Sequence, residues 1–210
     1  MKMKTKLGWY RIFILLRWSF LCMEEIMKLF VLCGKAGSGK TTLGGYLKEE
    51  LAIAGYQPCL MHLTQPLYTY ARQYFDWDPD KDEKPREFLQ HMGIDVIQKH
   101  LGKHDFLMNR LCEDIEILSM FFDSFIITDA RLVNEFIEFR KRFSDVTLIH
   151  VVRNHYDDGL TEEQRKHITE TDIDDYNSFD YTIMNSSIDE LHDFAKEVVR
   201  RTTRGGEVDE

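Results

Sequence analysis

The chain has 210 residues, of which 43% are hydrophobic and 30% charged; that suits one ordinary domain with a lid or an insertion and stays below the size at which a single core divides. A formal net charge of -9 argues against a nonspecific binder of nucleic-acid polymers, although a locally basic cleft can still take a small phosphorylated molecule. The four cysteines, Cys22, Cys33, Cys59 and Cys112, form no CxxC pair, which argues against a disulfide scaffold or a thiolate zinc site and suits reduced thiols in a cytoplasmic protein.

The segment RIFILLRWSFLCM, Arg11 to Met23, is apolar after a basic stretch. Arg17 interrupts it, it is shorter than the ~20 residues of a spanning helix, and no small-residue cleavage motif follows. Residues 1–25 therefore read as a dispensable appendage, or a leader ahead of a later start at Met23 or Met27, with a membrane-contacting helix as the alternative.

From Lys28 the pattern changes. Lys28 to Cys33 reads as a buried strand, Lys40 to Ala54 as a helix stopped by Gly55, Pro58 to Leu63 as a second strand and Pro66 to Phe75 as a helix. Asp76 to Phe88 is charged, holds two prolines and reads as a loop. Phe88, Leu89, Met92, Val96, Ile97 and Leu101 recur at helical spacing, with Gly93 weakening the middle. Phe106 to Phe122 follows as a helix, then the strand SFIITDA, a helix from Leu132 to Phe143, the strand VTLIHVVR, a polar segment from Asn154 to Asp175, the strand YTIMN and a last helix from Ile188 to Arg201. Continuously apolar strands alternating with helices predict a three-layer α/β domain with a parallel sheet over 26–201 and a fraying tail over 202–210.

The junction between the first strand and helix carries the chemistry. GKAGSGKT, Gly34 to Thr41, matches GxxxxGK[ST] with the strand before and the helix after that this loop requires. Its backbone N–H groups can turn around phosphate oxygens at a helix N-terminus. Gly34, Lys35, Ala36, Gly37, Ser38, Gly39, Lys40, Thr41 and Thr42 are thus the candidate ATP-binding set, with Lys40 reaching the β- and γ-phosphates and Thr41 holding Mg²⁺. A purely structural glycine turn is the alternative. Asp129, after the apolar FIIT, is the second candidate Mg²⁺ residue, through water, because open α/β sheets bind ligands at the carboxyl ends of their strands. Capping the next helix, for about 1 kcal/mol, is its other reading.

Phosphoryl transfer spreads charge over several oxygens, which arginine forks suit. Arg86, Arg110, Arg131, Arg153 and Arg165 are the candidates, and Arg131 and Arg153 both leave strands on the expected ligand edge. Arg110 precedes Asp114 by four residues and Arg131 precedes Glu135 by four, so surface ion pairs are the alternative. The segment 154–175 suits a lid that excludes water, or an ordinary solvated loop. His150, His155 and His167 have no zinc spacing, and GKHD, Gly102 to Asp105, lacks the asparagine of a guanine-selecting motif.

GKAGSGKTT, KPREFLQHMGIDVIQKH, FIITDARLVNEF and HITETDIDDYNSFDYTIMN together resemble the deoxynucleoside monophosphate kinase group of the P-loop nucleoside monophosphate kinase-like family. The resemblance implies a P-loop kinase fold with a helical acceptor-binding region near 76–122. It implies Arg86 as the acceptor-phosphate clamp, Gln90 as a nucleoside contact, Asp129 and Arg131 at the reaction centre, Glu135 organising Arg131, and His167 and Glu170 in or beside the lid. One departure stands out: Gln98 occupies a position where the family pattern often has arginine, with Lys99 beside it, and Arg110 is a candidate to compensate from the next helix.

The implied reaction is in-line transfer of the γ-phosphoryl group of Mg-ATP to the 5′-phosphate of a deoxynucleoside monophosphate. Lys40, Asp129, Arg131, Arg153 and Arg165 are the catalytic candidates, and Arg86, Gln90, Arg110 and Arg131 bind the acceptor. A nucleoside monophosphate is the expected partner, with no nucleic-acid polymer or membrane; a homodimer is compatible. A kinase of another phosphorylated acceptor such as phosphomevalonate, a non-enzymatic ATP-binding regulatory module and a membrane-tethered nucleotide sensor are the competing readings.

Overall fold

The computed structural model describes residues 27–154 and 159–203. The Arg11–Met23 segment, Cys22, His155 and the end of the tail lie outside the described residues.

The elements are β1 (Lys28–Cys33), α1 (Lys40–Ile53), β2 (Pro58–Met61), α2 (Gln65–Tyr74), α3 (Arg86–Gln90) running on as a π-helix (His91–His100), α4 (Phe106–Leu118), β3 (Ser124–Ala130), α5 (Val133–Arg142), β4 (Asp145–Val152), α6 (Glu162–Arg165), α7 (Ile168–Thr171), β5 (Tyr181–Met184) and α8 (Ile188–Thr203). The strands form one five-stranded sheet in the order β2-β3-β1-β4-β5, with every pairing parallel. Parallel neighbours require helical crossovers, and these cover both faces.

Alternate residues of the strands divide the core. Leu29, Val31, Phe125, Ile127 and Leu148 meet Leu111 and Ile115 of α4 and Phe136 and Phe139 of α5. Phe30, Leu32, Ile126, Ile149 and Val151 meet Leu43, Leu47 and Leu51 of α1 and Leu191, Ala195 and Val198 of α8. Burial on both faces explains the unbroken apolar runs, and burying one such side chain contributes about 1.5–3 kcal/mol. Leu67, Leu89 and Ile97 form a satellite cluster joining α2, α3 and the π-helix.

The topology fixes where a ligand can enter. β1 lies between β3 and β4, so the chain changes winding direction at its carboxyl end and leaves a crevice there. Within β3 the register against β1 slips between Val31 and Cys33: Val31 pairs with Ile127 but Cys33 with Ala130, so two residues of β3, Thr128 and Asp129, oppose Leu32 alone. Such a bulge re-aims side chains at a sheet edge, and it falls at Asp129.

Several boundaries differ from the sequence reading. β2 stops at Met61 because the chain turns to bring the Leu63 and Thr64 N–H groups onto the Asp129 carboxylate. The third helical run begins at Arg86 rather than near Phe88, then widens into i→i−5 bonding, as in Leu101 N–H to the Val96 carbonyl at 2.9 Å. Gly93 allows close approach to α2, since a Cβ there would stand 3.2 Å from Leu67 Cδ1. α4 ends at Leu118, not Phe122, as the Phe121 N–H takes the Leu118 carbonyl three residues back, at 2.8 Å, and closes a turn. Thr202 and Thr203, expected to fray, continue α8 and bond back to the Val198 and Val199 carbonyls. Among the described residues no helix is long and apolar enough to cross a membrane.

Candidate functional site

The loop between β1 and α1 closes tightly on the sheet. Gly34 has φ 141°, and a Cβ there would lie 2.2 Å from the Val151 carbonyl oxygen; Gly39, at φ 107°, would place a Cβ 2.5 Å from Asn185 Nδ2. Only glycine fits either position. Asn185, which follows β5, donates from Nδ2 to the Ser38 carbonyl at 2.7 Å and ties the loop to that strand exit. The Ser38 hydroxyl is buried without a hydrogen-bond partner among the described residues. Glycine-enforced backbone turns at the N-terminus of α1 and an unsatisfied buried donor fit a polyphosphate.

Lys40 is buried, and its Nζ donates to the Gly34 and Lys35 carbonyls, each at 2.7 Å. Burial, with a smaller push from the Arg131 charge, lowers its pKa to about 7, and Glu170 works in the opposite sense.

A cleft of about 1290 Å³ opens from this loop, lined by Gly37 to Thr42, Asp129, Arg131, Arg153 and Asn185. That volume exceeds the upper end of the usual ~300–1,000 Å³ for one small ligand. Arg153, exposed at the exit of β4, donates to the Gly37 carbonyl at 3.4 Å. The far wall is α2 and the loop that follows it, with the Tyr68 and Trp77 rings 5.5 Å apart and the Lys84 amine 5.8 Å from the centre of the Tyr68 ring. Thr41, exposed at the start of α1, and Asp129 present oxygen donors to the same cleft, the hard ligands that Mg²⁺ takes.

Asp129 does not cap the helix after it. Its carboxylate accepts Leu63 N–H at 2.8 Å, Thr64 N–H at 3.0 Å and the Thr64 hydroxyl at 2.5 Å. The α5 terminus is served by Glu135, which accepts the Arg131 and Leu132 N–H groups at 2.7 and 3.0 Å. Glu135 thus organises the backbone of Arg131 rather than its guanidinium. Although part of the side chain reaches the surface, its carboxyl is enclosed, and burial pushes its pKa up to about 7.

A second cavity, about 180 Å³, adjoins the first and shares Gly37, Thr64, Tyr68, Lys84, Asp129 and Arg131 with it. Arg86, half-buried at the start of α3, lines it with Gln90, Ile94 and Gln98. The widened π-helical turn keeps these last three, four residues apart, on one face.

Arg110 does not come to this site. α4 turns Met108, Leu111 and Ile115 into the core, which leaves Arg110 exposed and outside the lining of both cavities, away from Gln98 in the second. Arg165, on α6, is likewise exposed and lines neither.

The second half of the segment expected to form a lid is bonded to the rest of the fold. Residues 155–158 lie outside the described residues, but the segment after α6 is anchored. Ile173 is buried in the core, Asp172 accepts Val133 N–H at 2.7 Å and Asp174 pairs with Lys35 at 2.8 Å. His167 caps α7 by accepting Thr169 N–H at Nδ1, which requires that nitrogen unprotonated; burial lowers the His167 pKa in keeping with this. The turn presents Glu170, whose carboxylate accepts Ala36 N–H at 2.9 Å and the Arg131 guanidinium. Tyr68, Lys84, Asn185 and the bonds that Glu170 makes to Ala36 and Arg131 are site features that the sequence reading missed. Asn185 alone carried a usable signal, since it leaves a strand on the same edge as Arg153.

A family model described as deoxynucleotide monophosphate kinase matches residues 77–196. No curated protein matches the chain. Among solved structures, the APS kinase CysC of Mycobacterium tuberculosis, in a mutant form, is 14% identical, covering 84% of this chain and 99% of that one at a TM-score of 0.42. A sugar kinase from Janibacter sp. HTCC2649 is 12% identical, covering 83% and 95% at 0.48. Shikimate kinase from Aquifex aeolicus is 13% identical, covering 85% and 99% at 0.44.

Proposed function

The chain belongs to the deoxynucleotide monophosphate kinase family, and on that premise we propose that it transfers the γ-phosphoryl group of ATP to the 5′-phosphate of a deoxynucleoside monophosphate, giving ADP and the deoxynucleoside diphosphate. Membership makes it an ATP-dependent kinase acting on a small phosphorylated acceptor; the choice of acceptor is the finer step. The observation that carries it is the adjacency of the two cavities, one opening from the phosphate loop and the other holding Arg86 and Gln90, with Asp129 and Arg131 in the lining of both.

On this reading the loop amides of 34–42 and Lys40 hold the donor phosphates, and Asn185 keeps the loop in register. Arg86 and Arg131 draw the acceptor phosphate towards the shared boundary, while Gln90 and Gln98 meet its nucleoside. An acceptor phosphate oxygen attacks the γ-phosphorus as the bond to the β,γ-bridging oxygen breaks, and ADP leaves. The acceptor supplies its own nucleophile, so no side chain need become covalently attached, and holding the two phosphates in line supplies most of the catalysis. Arg153, bonded to the loop at Gly37, is placed to follow the charge. Arg165 would have to swing inward to join, and Arg110 has no part. Thr41, with Asp129 through water, would hold Mg²⁺, which neutralises phosphate charge when bound. The kinase domain spans 26–201, and its acceptor-binding region, set at 76–122, includes α2 as well.

Steady-state kinetics with Mg-ATP against a panel of ribo- and deoxynucleoside monophosphates tests this reading. Arg86→Ala should raise the acceptor KM at least tenfold and leave the ATP KM within about twofold. Unchanged acceptor kinetics would remove Arg86 and the cavity it lines from the acceptor site.

A further inference from the structure

The geometry points to Glu170 as a positioning residue that joins the donor and acceptor subsites; this rests on the kinase reading above. Its side chain is 5% exposed, and its two oxygens are divided. Oε2 accepts Ala36 N–H in the phosphate loop, and Oε1 accepts Nη1 of Arg131. These partners lie 134 and 39 residues away in sequence, so the carboxylate fixes two separate parts of the fold relative to each other.

The surrounding segment holds Glu170 in place. α7 has four residues, too few to persist by helix propensity. It is fixed instead by the His167 cap, the Asp172 bond to Val133 N–H, the Lys35–Asp174 pair and buried Ile173.

Charge decides what kind of contribution this is. A carboxylate beside two polyanion sites repels both and engages one of the acceptor arginines, so it lowers anion affinity. Its benefit must be geometric: it aims the Arg131 fork and sets the orientation of the Ala36 amide. A residue of that kind acts on kcat, since misplacement by about 1 Å costs on the order of 100-fold in rate, while its removal leaves anion binding intact or tighter.

The test is full kinetics of the whole chain with Glu170→Gln and with Glu170→Asp, which keeps the charge but is too short to reach both partners, each checked by thermal unfolding. In Glu170→Gln, kcat should fall about 100-fold with neither KM raised; in Glu170→Asp it should fall at least tenfold. If the Gln variant does not fold, the Asp variant carries the test. Combining Glu170→Gln with Arg131→Met should cost less than the two single losses multiplied together, because Glu170 acts in part through that arginine. A folded variant with wild-type kcat, a raised KM at unchanged kcat, or additive losses in the double variant overturns the inference while the kinase reading stands. Absence of transfer to any monophosphate by the wild type overturns the reading and this inference with it.

Discussion

Lys40 is bonded back onto its own loop, its Nζ donating to the Gly34 carbonyl oxygen at 2.7 Å. Burial lowers its pKa from the ordinary 10.5 to about 7. The unfolded chain therefore holds more protons between those values, so this residue's contribution makes stability rise with pH across that window and fall as pH drops towards 7. A bound polyphosphate favours the ammonium. Donor binding at pH 8 should take up part of a proton, and affinity should weaken as pH rises from 7.5 to 9. Calorimetry in buffers of different ionisation enthalpy measures this uptake, which Lys40→Met should abolish; equal enthalpies in all buffers would show that Lys40 is already charged.

Two adjacent helix glycines should respond oppositely to alanine. A Cβ on Gly44 would stand 2.5 Å from Thr128 Cγ2, whereas Gly45 has nothing within 4 Å. Gly44→Ala should cost about 1–3 kcal/mol through overpacking. Gly45→Ala should gain roughly 0.5–1 kcal/mol from helix propensity. Urea unfolding midpoints decide it, and a stabilised Gly44→Ala would mean α1 sits further from β3 than described.

The two uses of Asp129 can be separated. It holds the Leu63–Thr64 turn and, on the proposed reading, faces the cation. Asp129→Asn keeps a carbonyl acceptor and should cost about 1–3 kcal/mol of stability. It should also lower kcat by at least 100-fold and raise the magnesium concentration needed for half-maximal rate. Loss of stability with a normal magnesium titration would confine Asp129 to the turn.

Glu135 gives a distinct pH signature. Its carboxyl, raised from 4.5 to about 7, holds more protons folded than unfolded between those values, so its contribution makes stability fall as pH rises through that window. Glu135→Gln keeps a carbonyl for the Arg131 and Leu132 N–H groups and should remove this dependence with little loss at pH 8. Glu135→Ala should cost about 1–2 kcal/mol by leaving the α5 terminus uncapped. Thermal unfolding from pH 5 to 8 measures both; equal losses in the two variants would show that ionisation, not the cap, is what matters.

Legibility in the sequence followed the range of the forces involved. The phosphate loop, the five strands and the placement of Asp129 at a strand exit were readable because a strand, three glycines and a helix start act over a few residues, and strand exits share one edge in an open parallel sheet. Arg110 was misplaced because its periodicity identified a helix without deciding whether the arginine faced the acceptor side; the burial of Met108, Leu111 and Ile115 decides that. The π-helix was missed because ten residues are too few to separate its period from that of an α-helix. The contacts of Glu170 within 154–175 were not legible because it looks like any polar loop residue in sequence, and only the fold brings Ala36 and Arg131 to it.

The central claim, that two phosphorylated molecules meet across the boundary shared by the two cavities, is tested most directly by following the label from γ-³²P-ATP with each deoxynucleoside monophosphate in turn. Labelled deoxynucleoside diphosphate should appear one for one with ADP, and Lys40→Met should lose that product. ADP formed with the label released only as inorganic phosphate, whichever monophosphate is supplied, would contradict it.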